Sequence, residues 1–125
     1  MIDTVLEEAK TAPDLVSLHG DGIPAHDRAE DAALARTLGA VTPSAPRLRL
    51  KAAHADLGAA ASPVELLACS SALRHATVPP DVSDHDPESR LGRQGPSPAM
   101  TPVLRSVLVL TLGLFGECSA LMMRS

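Results

Sequence analysis

The stretch LVSLHGDGIPAHDRAE, Leu15 to Glu30, decides how this chain is read. The apolar run DLVSL, Asp14 to Leu18, has the length of a short buried strand, and His19-Gly20 falls on the turn that follows it. DRAEDAALARTL, Asp27 to Leu38, then reads as a helix with an Asp at its start, acids in its first turn and Gly39 just past its end. A strand that passes through a tight turn into a helix begins an α/β unit. It also leaves His19 at a strand end, either as a catalytic group facing a cleft or as a polar loop residue.

Outward from this stretch the same alternation continues. Residues 2–11 place Ile2, Val5, Leu6 and Ala9 on one helical face, with Pro13 as the stop. RLRLK, Arg47 to Lys51, alternates like a strand, and Ala59 to His75 reads as a helix with Ser62-Pro63 at its first turn. The order helix, strand, helix, strand, helix predicts layered helices on a mixed, mostly parallel sheet. Residues 76–102, with VPP, DHDPE and GRQGPSPAMTP, predict a long exposed connection in which His85 is solvated rather than a ligand. Val103 to Leu110 and Ser119 to Arg124 predict a closing strand pair around GLFG.

Composition narrows the function classes. Apolar residues make up 45% of the 125, yet Phe115 is the only aromatic, so the core must be built from Ala, Leu and Val at close helix-to-sheet contact. A net charge of −4 argues against a phosphate-backbone partner, so no nucleic acid is expected. Cys69 and Cys118 lie far apart in apolar surroundings without ligand spacing, which predicts reduced, buried thiols and no metal. MIDTVLEEAK lacks the basic region and apolar run of a signal peptide, which predicts a cytoplasmic protein. Val103 to Met123 approaches the length of a membrane span, and a small tail-anchored membrane protein is one alternative; Arg105 and Glu117 within it speak against that alternative.

Three ordered blocks carry a family resemblance. HGDGIPAHDRAE resembles the HGTGT-x-x-x-D-x-x-E element of β-ketoacyl synthases, with His19, Gly20, Gly22, Asp27 and Glu30 in place. KAAHADLGAAASPVELLACSSALRHATVPP is similar to that family's next block, and TLGLFGECSALMMRS resembles its closing GFGG-x-N element. DRAE, ELLAC and GECSA look most like the ketosynthase and chain-length-factor subunits of type II polyketide synthases. The resemblance implies a partial thiolase-like fold, with residues 1–125 forming a C-terminal β-ketoacyl synthase-like domain. The family's nucleophilic cysteine belongs to the N-terminal half, which these residues do not match. A sheet lacking its neighbours would have an unprotected edge and an uncovered apolar face.

The chemistry implied is a decarboxylative Claisen condensation, in which a malonyl thioester on acyl carrier protein loses carbon dioxide and its enolate attacks an acyl-cysteine. The family's two histidines donate hydrogen bonds to the enolate oxygen. His19 matches the first. Asp56 stands where the second should be, five residues after Lys51, with Ala55 in place of a glycine. Aligning His54 instead would break the fourteen-residue spacing from Lys51 to Glu65, which matches the family's lysine–glutamate pair. Asp21 and Ile23 replace the threonines that contact the pantetheine arm, and Leu114 replaces the phenylalanine whose backbone N–H lies at the oxyanion hole. Phe115 falls on a glycine position, which predicts strain if positive φ is needed there. Asp27 and Glu30 read as ordinary helix-start acids, and His26 and His75 as solvated. The expected function is that of a condensing-enzyme fragment or non-catalytic partner subunit of a ketosynthase chain, inactive alone. The alternative from the enzyme class is the C-terminal piece of a split, active synthase. No bound cofactor is implied beyond the carrier protein's pantetheine thioesters.

Overall fold

A computed structural model describes residues 1–39, 45–78, 103–113 and 115–125. Helix α1, Ile2–Ala9, ends two residues earlier than the sequence suggests, because Lys10 turns left-handed (φ 52°) and returns its N–H to the Leu6 carbonyl at 2.9 Å. Strand β1, Leu15–Ser17, follows and is buried on both faces. Helix α2 spans Pro24–Thr37 and starts three residues before the expected Asp27. Proline at the first helical position has the right φ and lacks an N–H that would in any case go unpaired, so it extends the helix backwards and leaves Asp27 inside the first turn.

Strand β2 is only Arg47–Leu48, shorter than the RLRLK run. Its one neighbour among the described residues, β1, gives up pairing after Leu18 bonds to the Leu48 carbonyl at 2.8 Å and the chain turns at Gly20 (φ 48°). With no partner left, the chain coils into α3, Lys51–His54, so Lys51 sits on a helix and not on a strand. A 3-10 turn, Gly58–Ala60, leads directly into α4, Ala61–His75. Strand β3, Ser106–Leu112, begins later than expected, because the Asp14 carboxylate takes the N–H groups of Arg105 (2.9 Å) and Ser106 (3.0 Å). Strand β4 is Cys118–Arg124.

The sheet order is β2-β1-β3-β4, with β1 parallel to both β2 and β3 and β4 antiparallel to β3. This is the mixed, mostly parallel sheet of a partial thiolase-like α/β fold. Successive residues of β1 and β3 point to opposite layers. Leu15, Val107 and Val109 pack with Cys69, Ala72 and Leu73 of α4. Val16, Leu108 and Leu110 pack with Ile2 of α1 and Leu34 of α2. Helices therefore cover both faces of β1 and β3, while among the described residues β2 and β4 are both edge strands and β4 is largely exposed, with Leu121 50% accessible. Val103 to Met123 contains two paired strands, and no described helix is long and apolar enough to cross a membrane, so the tail-anchor alternative loses its helix. The connection expected over 76–102 falls, from 79 onward, outside the described residues, as does His85.

Two turns test expectations about glycine positions. In the β3–β4 turn the positive φ falls on Gly116 (87°) and not on Phe115, so the strain expected at Phe115 does not arise. After α3, Ala55 has φ 60° and ψ −174°, a conformation that almost only glycine adopts without cost. The backbone thus keeps a glycine geometry immediately before Asp56, although the residue is alanine. Such a conformation costs about 1–3 kcal/mol in a residue with a Cβ. Ala55→Gly is accordingly expected to raise stability by about 1 kcal/mol or more, seen as a higher urea midpoint at unchanged slope.

Candidate active site

A cleft of about 560 Å³ opens at the end of the sheet between the His19 turn, α3, the start of α4 and the β3–β4 turn. His19, Asp21, Ile23, His26, Lys51 and Asp56 all line it. Its geometry starts from the turn that presents His19. Glu30, on the second turn of α2, reaches back so that Oε1 accepts the His19 N–H at 2.7 Å and Oε2 the Gly20 N–H at 3.3 Å. Gly20 has positive φ, and a Cβ there would stand 3.0 Å from the Arg49 side chain, so the tight turn needs glycine. Glu30 is therefore a buried clamp on the histidine turn, where the sequence suggests only an ordinary helix-start acid. The signal was present as the fixed His-Gly to Glu spacing, but nothing in spacing alone says that the carboxylate folds back.

The His19 ring is held from behind. Its Nδ1 accepts a hydrogen bond from the Lys51 ammonium at 2.8 Å and another from the Leu112 backbone N–H at 3.1 Å. The same ammonium donates to the His19 carbonyl at 3.1 Å and lies 3.1 Å from Glu65 Oε1. Lys51 and Glu65, fourteen residues apart, are thus a buried ion pair, with side chains 4% and 0% exposed. The Glu65 oxygens make no well-aligned hydrogen bond, yet at this separation the charge contact holds without ideal alignment.

A backbone N–H can only donate, so Nδ1 is an acceptor and the neutral ring carries its proton on Nε2, facing the cleft. Asp21 meets that proton: Oδ2 lies 3.3 Å from His19 Nε2 and 2.7 Å from His26 Nδ1, while Oδ1 accepts the Ile23 N–H at 2.9 Å. Partial burial pushes the Asp21 carboxyl up. The hydrogen bonds from His26 and the Ile23 N–H, with the positive charge of His26, outweigh it, so its pKa ends below the ordinary 3.8. His26, expected to be solvated, is half-exposed and tied to this carboxylate.

His19, Asp21 and His26 bring three ligand-type atoms within 4.8 Å of one another. A metal would need the lone pair of His19 Nε2, and metal-bound imidazoles donate with their other nitrogen. Here that nitrogen already accepts two donors, so the cluster is a hydrogen-bonded cap and does not suit a metal.

Other expected site residues fall as follows. Asp56 lines the cleft, exposed, with Oδ1 on the Gly58 N–H at 2.9 Å. Ile23 sits at the mouth, 45% exposed. Leu114 lies outside the described residues. Cys69 is buried and its thiol is pushed up by burial, whereas Cys118 is exposed at the cleft, contrary to the expectation of two buried thiols. Exposure follows from its place at the start of the edge strand β4.

The fold thus presents a histidine at a strand end, steadied by a lysine–glutamate pair, at the rim of a layered α/β sheet. The family model described as Beta-ketoacyl synthase, C-terminal domain, matches residues 1–84, and the chain belongs to this family. Among its relatives are a polyketide beta-ketoacyl synthase 1 of Streptomyces halstedii, 36% identical over 127 residues, and the actinorhodin polyketide beta-ketoacyl synthase 1 of Streptomyces coelicolor, 34% identical over 128 residues. Each alignment covers 98% of this chain but only 30% and 27% of the respective relative. Nodulation protein E of a Rhizobium species is 35% identical over 75 residues, which is 60% of this chain and 19% of that protein. No solved structure matches the chain.

Two predictions follow from the buried charges. Lys51→Met strands the Glu65 carboxylate and is expected to cost about 3–5 kcal/mol by urea denaturation, while Lys51→Met with Glu65→Leu recovers most of the loss. Burial raises Glu30 above the ordinary 4.5, against the lowering pull of the His19 and Gly20 N–H donors. The folded state therefore holds this proton more tightly than the unfolded chain, and the stability linked to it is full below 4.5 and lost as pH rises through the raised value. The margin of wild type over Glu30→Gln should be widest just below 4.5 and narrow toward neutral pH; a widening margin would contradict the assignment.

Proposed function

We propose that this chain acts as a non-condensing member of its family, supporting the acyl site of a cysteine-bearing ketosynthase partner in polyketide biosynthesis and performing no condensation alone. One observation carries the reading: the Nε2–H of His19, the donor that an enolate oxygen requires, is spent on Asp21. Asp56 adds a second carboxylate to the same cleft, where the family resemblance places a histidine. An ionised carboxylate has no proton to donate and repels the developing enolate. The carrier protein's pantetheine arm also finds an anion and an apolar side chain, Asp21 and Ile23, in place of two hydroxyls.

A second reading has its own support. The intact bonding behind His19, from Lys51, Leu112 and Glu65, favours the C-terminal piece of a split, active synthase. Coexpression with a cysteine-bearing ketosynthase chain encoded nearby separates the readings. The partner role predicts copurification of the two chains and condensation by the pair that His19→Ala leaves unchanged. Loss of turnover with His19→Ala would favour the split synthase, and failure to associate would remove the partner role.

A further inference from the structure

Strand β4 turns half of its backbone away from the sheet. Its register with β3 runs without a bulge from Ser106↔Arg124 to Leu112↔Cys118. The flanking bonds, Ser125 N–H to the Arg105 carbonyl at 3.1 Å and Gly113 N–H to the Glu117 carbonyl at 2.6 Å, fix the parity of that ladder. Odd-numbered residues of β4 bond to β3, so Cys118, Ala120, Met122 and Arg124 point their N–H and C=O groups outward. Among the described residues no strand takes those groups. Edge strands are ordinarily shielded by proline, by inward charge or by a bulge. CSALMMR has none of these, its only charge is Arg124 at the end, and Leu121 at its middle is 50% exposed.

The outward groups are spaced symmetrically about Leu121, and that symmetry selects what pairs with them. We propose that β4 is a self-pairing edge, through which two copies of this chain join as an antiparallel dimer centred on Leu121. With the two-fold axis there, Ala120 faces Met122 of the second copy and Cys118 faces its Arg124, so the free N–H and C=O groups of each strand meet their complements. A one-residue slip sets outward-bonding residues against residues already bonded to β3, and a two-residue slip leaves one end of each strand unpaired. On the axis the two Leu121 side chains form a non-hydrogen-bonded pair, where Cα atoms approach to about 4.5 Å and side chains lie closest. Charge agrees with the antiparallel sense. The two Arg124 residues stand about 20 Å apart along the strand, each beside Glu117 of the other copy, whereas parallel pairing would set them side by side.

The test uses the full 125-residue chain in sedimentation equilibrium, from about 1 μM to about 1 mM, which brackets an interface of this small size. Wild type is expected to pass from monomer to dimer across that range. Leu121→Lys replaces an exposed side chain and sets two ammonium groups against each other on the axis, so it is expected to weaken the dimer at least about tenfold. A wild type that stays monomeric throughout, or a folded Leu121→Lys chain that associates as tightly as wild type, overturns the proposal. Should Leu121→Lys fail to fold, cysteine pairing decides. In a Cys118→Ser background, Leu121→Cys is expected to cross-link to its own counterpart on mild oxidation, because the pair on the axis lies within disulfide reach. Ser119→Cys in the same background is the register control: its two copies lie about 14 Å apart along the strand and stay unlinked. No cross-link at 121, or equal cross-linking at 119 and 121, refutes the dimer centred on Leu121. None of these measurements involves a ketosynthase chain, so this proposal and the partner role can fail separately.

Discussion

Three segments distant in sequence meet at one buried ammonium. Lys51 Nζ touches the ring and the carbonyl of His19 at the end of β1 and the carboxylate of Glu65 on α4, and all three groups are withdrawn from water. A charge taken out of water must be matched where it lies, or it costs several kcal/mol. That requirement ties the start of α3 to α4 and to the end of the sheet, and so sets the walls of the cleft. It also fixes chemistry at a distance: a cation and a backbone N–H on one nitrogen of His19 decide that the other nitrogen presents a proton. Asp21 has its place because that proton faces it.

Much of this was legible in the sequence. The layered α/β order follows from patterns that a single chain displays, because periodicity within one element is a local property; the Lys51–Glu65 pair, on two different helices, was legible only through the family resemblance. What was not legible depends on where the chain turns. Nothing local marks that β2 stops at Leu48; it stops because β1 has turned away at Gly20. Glu30 reads as a helix-start acid because its helix-dipole role is local, whereas its grip on the His19 and Gly20 amides is tertiary. Asp21 reads as a lost hydroxyl contact because a sequence shows what a residue is not; only the fold shows that the carboxylate has found donors of its own. Ala55 is the converse, since its substitution for glycine is visible in the sequence and its retained positive φ is not.

The two sides of the His19 ring thus differ. Behind it, Lys51 and the Leu112 N–H orient the ring; in front of it stands the Asp21 carboxylate. Deleting the histidine would cost stability, because the ring is an acceptor for a buried ammonium. Changing the residues in front leaves that buried bonding alone.

Magnitudes show how far a carboxylate in front shifts the balance. Two unit negative charges about 4 Å apart repel by about 4 kcal/mol at the effective dielectric of a protein surface site. Applied to an enolate forming beside Asp21, that barrier alone corresponds to a rate loss of about a thousandfold. The enolate would in addition have to displace a charge-assisted hydrogen bond worth about 1.5–3 kcal/mol. Orientation cannot recover such a deficit: it makes a donor available in the right direction, and here the direction is already occupied by an anion. A condensing role for this cleft therefore requires that Asp21 leave His19. The two glycines beside it give its backbone freedom to move, while His26 and the Ile23 N–H hold its carboxylate in place.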